Sequence, residues 1–563
     1  MSSATPTSGT SPVRRLSLTG VLRLRRPSEI WFKPALSSVA AVAPPNLLLL
    51  ALGRLDLAMY TMAGSLCALY AHNRPYAARA RTLAWVVLGM IGGLAVALVT
   101  ASLTRDAVVL VTVGALLAAV QKALCDATRV GPPGNVVLTF ISSAALFVPQ
   151  SLGQIPGHLA LAAAAGVWAW LVGMAPAPVR PHGPERRATA QALNAAAYAA
   201  AHGTGADEDH APARAAGYAA VQAAWQTLLA LPTTGARAAT RHALERLVVR
   251  AEVALAAPAD TDPERLRAWA HALHGAGRIP RTGDTPADTD ELLGVDAELA
   301  ARPVPLWRRL GPLAPIAART ALGCALAGYA SLALGIGRPY WALVTAAALY
   351  QANLTLTWSR AVQRVVGNLA GVLLFAAIAP LAHLGQALLV LCCLALNFGA
   401  EALITRNYWL GSVCVTPMAL LVTEFAGYQA TGDLMTERAV DTVVGALVGF
   451  LAAVVVTNRR AGNRVEQAVT AADRARERAA RLLAEPAPAP GALESARRGL
   501  AVALTDLRAT ADGAAGEWWG RALPQERVVL AERSGHRTLA EAVRRQAVRP
   551  DRGAGTRTED VRP

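Results

Sequence analysis

ALYAHNRPYAARARTLAWVVLGMIGGLAVAL (residues 68–98) and ALYQANLTLTWSRAVQRVVGNLAGVLLFAAI (residues 348–378) are variants of one pattern. Tyr70 matches Tyr350, and the pairs Gly89/Gly93 and Gly367/Gly371 coincide after a two-residue gap, at an offset near 278 residues. Each copy opens on polar and basic residues and runs into an apolar stretch of the kind that crosses a bilayer, which takes about 20 residues. The spaced glycines are the small residues that let neighbouring membrane helices approach closely.

Outward from this pair, the apolar runs fall into two blocks of six. The first six expected spans are 35–52, 55–72, 82–100, 107–121, 135–150 and 157–174; the second six are 313–334, 339–354, 361–380, 382–400, 408–425 and 439–457. Composition agrees, because 54% of the 563 residues are apolar and only 16% are charged, against about 25% charged in soluble domains. Mean hydropathy is positive, at +0.34. The expected fold is all-α and polytopic, with about twelve transmembrane helices in two six-helix repeats and helical cytoplasmic domains. Six spans per repeat keep both in the same orientation, so a parallel repeat about an axis along the membrane normal is expected.

The expected organisation is a basic cytoplasmic N-terminus (1–34), a first membrane domain (35–175), a helical domain (176–311), a second membrane domain (312–458) and a helical C-terminal domain (459–563). Within the soluble parts, 185–202, 236–257, 461–485 and 491–512 have helical periodicity, Arg278–Asp290 reads as loop, and the tail from Arg549 has the composition of a disordered segment. Arginine placement orients the chain. Short loops on one side carry Arg74, Arg79, Arg81, Lys122, Arg129, Arg360, Arg364 and Arg406, and the other side carries Arg54, Arg105, Arg338 and a borderline Arg438. The positive-inside rule then puts both termini and residues 176–311 in the cytoplasm and the spans in the cell membrane. No signal-peptide cleavage pattern follows the arginines of the first 34 residues.

Polar residues inside apolar helices mark candidate function, because they are costly there unless they face protein or water. Arg360, Gln363, Arg364, Gly367, Asn368 and Gly371 recur at steps of three and four and share one face of the ninth span. The competing reading of the two arginines is that they snorkel to headgroups and anchor the helix. Arg319 in the seventh span, Gln351 and Asn353 at the end of the eighth, and Asn397 in the tenth complete the candidate pathway, with Tyr340 and Trp341. The last two also suit an outer interfacial belt. Helix spacing would put Tyr340 and Gln351 on one face, roughly 16 Å apart. Glu401, Glu424 and Asp441 are candidates for proton coupling, although Glu401 could simply pair with Arg406. Cations at the inner mouth with Glu424, Asp433, Glu437 and Asp441 outside would gather anions within the cell and repel them beyond it.

Other classes find no support. The +16 charge forms no basic stripe interleaved with aromatics, which argues against nucleic acid. There is no P-loop, no HExxH, no Ser/His/Asp set and no cysteine spacing suited to zinc, so neither enzyme, cofactor nor metal is expected. The six cysteines read as buried thiols.

From Gly337, the segment GRPYWALVTAAALYQANLTLTWSRAVQRVVGNLAGVLL resembles the fusaric acid resistance and aromatic acid exporter family. That family's pattern is a PYWA-leading helix, then a tryptophan and a basic R-A-x-x-R-x-x-G run; Pro339, Tyr340, Trp341, Ala342, Trp358, Arg360, Arg364 and Gly367 match it. The resemblance implies export of small organic anions, in particular aromatic carboxylates, by a homodimer or together with an accessory export protein. A passive anion channel, as in related plant malate channels, and a non-transporting scaffold whose helical domains bind partners are the alternatives. Ala352 and Asn353 follow Gln351 where relatives often carry proline, and Trp85 and Val86 stand opposite Gln363 and Arg364. The first block therefore lacks an equal second arginine site.

Overall fold

The structure is a computed structural model that describes residues 16, 18–24, 31–202, 211–229, 237–256, 258, 261–275, 277–281, 309–456, 461–489, 491–516 and 525–547. The described residues form helices and connections, with no strand among them. Among the described residues, nine helical segments are long and apolar enough to cross a membrane. In the first block these include α1 (Phe32–Ala51), α3 (Tyr76–Leu103), α4 (Ala107–Thr128) and α6 (Ile155–Met174). In the second they include α11 (Ala314–Ala333), α13 (Leu354–Ala382), α14 (Gln386–Ile404), α15 (Tyr408–Thr423) and α16 (Thr431–Val455).

The other three expected spans are shorter than a bilayer requires. α2 (Ala58–Ser65) is flanked by single 3-10 turns over Leu55–Leu69, α5 is Val136–Leu146, and α12 is Tyr340–Leu349. Ten residues of α12 rise about 15 Å, half the hydrocarbon thickness. α12 stops because Tyr350 turns extended (φ −65°, ψ 111°), and Asn353 then starts α13 by accepting Leu356 N–H at 2.9 Å. Gln351 and Asn353 therefore lie beyond the helix, and the shared face expected for Tyr340 and Gln351 does not exist. The repeated tyrosines serve as matching fasteners: Tyr70 donates to the Gly134 carbonyl at 2.7 Å, and Tyr350 to the Gly449 carbonyl at 3.0 Å. Gly323 leaves the room that the Tyr350 hydroxyl occupies.

Packing recurs element by element. The short second element lies on the sixth helix (α2 on α6, α12 on α16), and the third lies on the fifth and sixth (α3 on α5 and α6, α13 on α15 and α16). The first helix of each block reaches across to the other, α1 onto α14 and α11 onto α4. The glycine pairs are not equivalent, however. Gly367 and Gly371 meet α15 at Trp409, Ser412 and Thr416, whereas Gly89 faces open space.

The two soluble segments fold together. α7 (Gly183–His202), α8 (Ala211–Leu229), α9 (Arg237–Ala256) and α10 (Pro263–His274) share one apolar core with α17 (Ala461–Ala484), α18 (Ala492–Ala515) and α19 (Gln525–Ala547). Sequence reading divided them into two domains. Trp225, Leu244 and Leu247 instead pack in one cluster with Val465, Leu500, Leu507 and Val528, because neither set of amphipathic helices covers its apolar face alone. A buried polar cluster joins the halves: Arg497 pairs with Glu494 and, at 2.9 Å, with Glu252, which accepts Trp225 Nε1–H at 2.6 Å. Most of the expected 278–290 loop and the whole tail from Arg549 lie outside the described residues.

Candidate functional site

One departure from the repeat opens a space. α12 packs on α4 and α5 of the first block, while α2 makes no comparable approach to α14 or α15. Between them runs a cavity of about 2180 Å³, lined by Met59, Tyr60, Met62 and Leu66 on one side and Val415, Met418, Ala419 and Val422 on the other. It extends from Arg338, Gln429 and Glu437 to Lys122, Arg129 and Arg464 beside the soluble helices. Eleven arginine and lysine residues line it, against four aspartates and glutamates. Because its cations outnumber its carboxylates, the wall presents net positive charge, and a recess of one sign attracts anions more strongly than an open surface.

The ninth-span stripe divides in two. Arg360, Gln363 and Arg364 line the cavity, whereas Gly367, Asn368 and Gly371 turn into the helix interfaces. Arg364 donates to the Tyr408 hydroxyl at 2.8 Å, and Arg360 stacks on the Tyr408 ring at 3.9 Å. Tyr408 opens α15 behind its N-cap, Asn407. Arg364 is 4% exposed, and both arginines meet one half-buried tyrosine. Asn368 is a clamp: it donates to Thr442 at 3.0 Å and accepts from Thr416 at 2.8 Å, tying α13 to α16 and α15.

The remaining candidates also separate. Asn397 lines the cavity while exchanging hydrogen bonds with Ser38 (2.8 and 3.1 Å), joining α14 to α1. Arg319 lines it too, but its Nε donates to the Val456 carbonyl just past α16. Gln351 lines the cavity, and Asn353 is occupied as a cap. Tyr340 and Trp341 are 7% and 2% exposed, so they form no interfacial belt. Glu401 lines the cavity and makes no ion pair with Arg406, contrary to the pairing considered from sequence. Glu424 faces His383, 3.1 Å from each carboxylate oxygen, and Asp441 accepts Ser331 Oγ–H at 2.6 Å. Neither of these two lines the cavity.

Two features escaped the sequence reading. The first is Arg438, seven residues along α16 and so about 10 Å from its start, buried beside the cavity and stacked 4.2 Å over Trp341. The signal was its helical face, shared with Gly445 and Gly449, both of which pack against α12. The second is a strap, residues 18–24, at the cavity end beside the soluble helices. Gln363 and Asn407 donate to the Val21 carbonyl at 2.9 and 3.0 Å, and Trp409 donates to the Leu22 carbonyl at 3.2 Å. Nearby, Thr355 donates through its N–H and hydroxyl to the Gly516 carbonyl, both at 3.0 Å, docking the end of α18 beside the same mouth. No cluster of three or more potential metal ligands occurs among the described residues.

Residues 325–452 match the family model described as fusaric acid resistance protein-like. The matched stretch covers α12 to α15 whole, with most of α16 and the second part of α11 from residue 325. The chain is also 34% identical, over 141 residues, to the uncharacterized membrane protein YvaC of Bacillus subtilis (strain 168). That alignment covers 25% of this chain and 22% of YvaC, so the chain spans about a fifth of the relative's length. No solved structure matches. The protein is thus a multi-pass helical membrane protein in which residues 325–452 are similar to the fusaric acid resistance protein-like family.

Proposed function

We propose that this protein is a secondary exporter of small organic anions, aromatic carboxylates foremost, acting in the cell membrane with both termini and the soluble helical body in the cytoplasm. The observation that carries this reading is the cavity of about 2180 Å³ between the two blocks, with eleven cationic and four anionic residues in its wall. Its aliphatic and aromatic patches, from Met62, Leu66, Phe140 and Met418, suit the apolar body of such a solute. The family match supports transport as the general role.

An interior-negative potential supplies about 2.3 kcal/mol per charge per 100 mV, so a monovalent anion leaves downhill; a proton gradient acting through Glu401, Glu424 or Asp441 is the other drive. Two obstructions favour a gated carrier over the passive channel. At one end Arg338 binds Glu437 and Gln429, and at the other the strap is hydrogen-bonded across pathway residues. The test is efflux of a panel of labelled weak organic acids from proteoliposomes holding the purified chain. Saturable efflux that unlabelled acids compete is expected. Large unitary currents would transfer the assignment to a channel, and no flux of any acid would leave the scaffold.

A further inference from the structure

Arg438 is buried to 2% exposure, and it borders the cavity. One flat face of its guanidinium lies on Trp341 at 4.2 Å. Its Nε–H has no hydrogen-bond partner, and the guanidinium enters no ion pair among the described residues. The carboxylates that could neutralise it are placed elsewhere. Glu437, its neighbour in sequence, is taken by Arg338. Asp441, one turn on, accepts from Ser331 through Oδ1, leaves Oδ2 without a partner and acts on Arg438 by its charge without forming an ion pair with it. A second cation, Arg364 on α13, also acts on it, as does Tyr408. An unpaired guanidinium inside a membrane protein is strongly unfavourable, more so with like charge nearby, and such residues persist where a mobile ion completes them.

We propose that Arg438 is the contact cation of an anion site in the cavity, with Arg364 as the second cation, and that the site takes the carboxylate of a small organic anion. The proposal rests on the export reading and names where the exported anion is held. The Trp341 stack fixes one face of the guanidinium and leaves its N–H edge to meet two carboxylate oxygens side by side. A lysine could supply the charge but neither the stack nor the paired donors. Helix geometry holds the site: Gly445 and Gly449 let α16 lie directly on α12, which brings Arg438 over Trp341.

The test uses the full chain with its six cysteines replaced, reconstituted in proteoliposomes, and benzoate as the probe. Arg438→Gln should raise the benzoate concentration for half-maximal efflux at least tenfold, with Arg438→Lys in between. Arg438→Cys should be inactive, recover when an aminoethyl thiosulfonate restores a cation, and stay inactive after a neutral methyl reagent. Benzoate should slow modification of that cysteine in detergent, a readout independent of flux. Monodisperse Arg438→Gln protein with the wild-type half-saturation would overturn the site, as would cysteine modification at a rate that benzoate leaves unchanged. If wild-type protein moves no organic acid while benzoate still protects position 438, export fails and the site stands. Should Arg438→Gln not fold, the lysine variant and the cysteine protection decide alone.

Discussion

Replacing Arg364 with glutamine isolates one charge in the cavity wall at little structural cost. The guanidinium is 4% exposed and makes one side-chain bond, to the Tyr408 hydroxyl at 2.8 Å, while its Nε–H has no partner. Glutamine can keep a hydrogen bond to that hydroxyl, and removing one of three neighbouring cations relieves repulsion on Arg360 and Arg438. The fold should therefore survive. The loss is one charge-assisted contact to a bound anion, about 1.5–3 kcal/mol, or roughly one to two orders of magnitude in affinity. Efflux of labelled benzoate from proteoliposomes should show a half-saturation raised by that factor, with the yield of monodisperse protein unchanged. An anchoring role predicts the reverse, namely reduced yield with normal half-saturation in what remains. Wild-type half-saturation from well-folded Arg364→Gln protein would refute a substrate role for this face of α13.

Asn368→Leu removes both hydrogen bonds of the three-helix clamp and leaves Thr416 and Thr442 to find other partners. It should cost about 1–3 kcal/mol, read as a lower melting temperature in detergent, with half-saturation for benzoate unaltered. Burial and the nearby Arg214 hold His536, in the soluble body, down to about 4. Because the native state keeps this histidine neutral, its contribution is complete above the ordinary value of about 6.5 and falls away as pH drops towards 4. His536→Leu should therefore flatten the decline in melting temperature between pH 6.5 and 4.5, and an unchanged slope would exclude His536 as its source. For topology, cysteines at the exposed positions 433 and 477 in a cysteine-free chain should differ. An impermeant maleimide added to intact cells should label 433 and spare 477, and labelling of 477 would place the soluble body outside.

The class of fold was legible because long apolar runs and spaced glycines act locally, one helix at a time. The short elements were not. Residues 339–354 read as a full span since Tyr350 is as apolar as its neighbours, and its turn to extended backbone depends on a distant carbonyl, that of Gly449. The stripe from Arg360 to Gly371 reads from its spacing as one broad face. Its division between cavity and helix interface depends on where α15 lies, which spacing within α13 does not contain. Arg438 was set aside as an outer charge by counting from an expected helix end. Its register with Gly445 and Gly449 was present in the sequence and would have placed it inside. The union of the soluble helices was beyond reach for a different reason, since amphipathic periodicity shows that a face needs covering and not what covers it.

The crossing of α1 onto α14 and of α11 onto α4 gives the chain the architecture of a domain-swapped dimer fused into one polypeptide. A protein consisting of a single block would leave the crossing face of its first helix uncovered, and would meet that need in a second identical copy. Such a two-fold assembly would place every wall residue twice. Fusion removes that restriction: Trp85 and Val86 stand opposite Gln363 and Arg364, so the two halves are free to place different side chains in the wall. Expressed as two separate polypeptides, residues 1–311 and 312–563, the halves should find each other through the same exchanged helices.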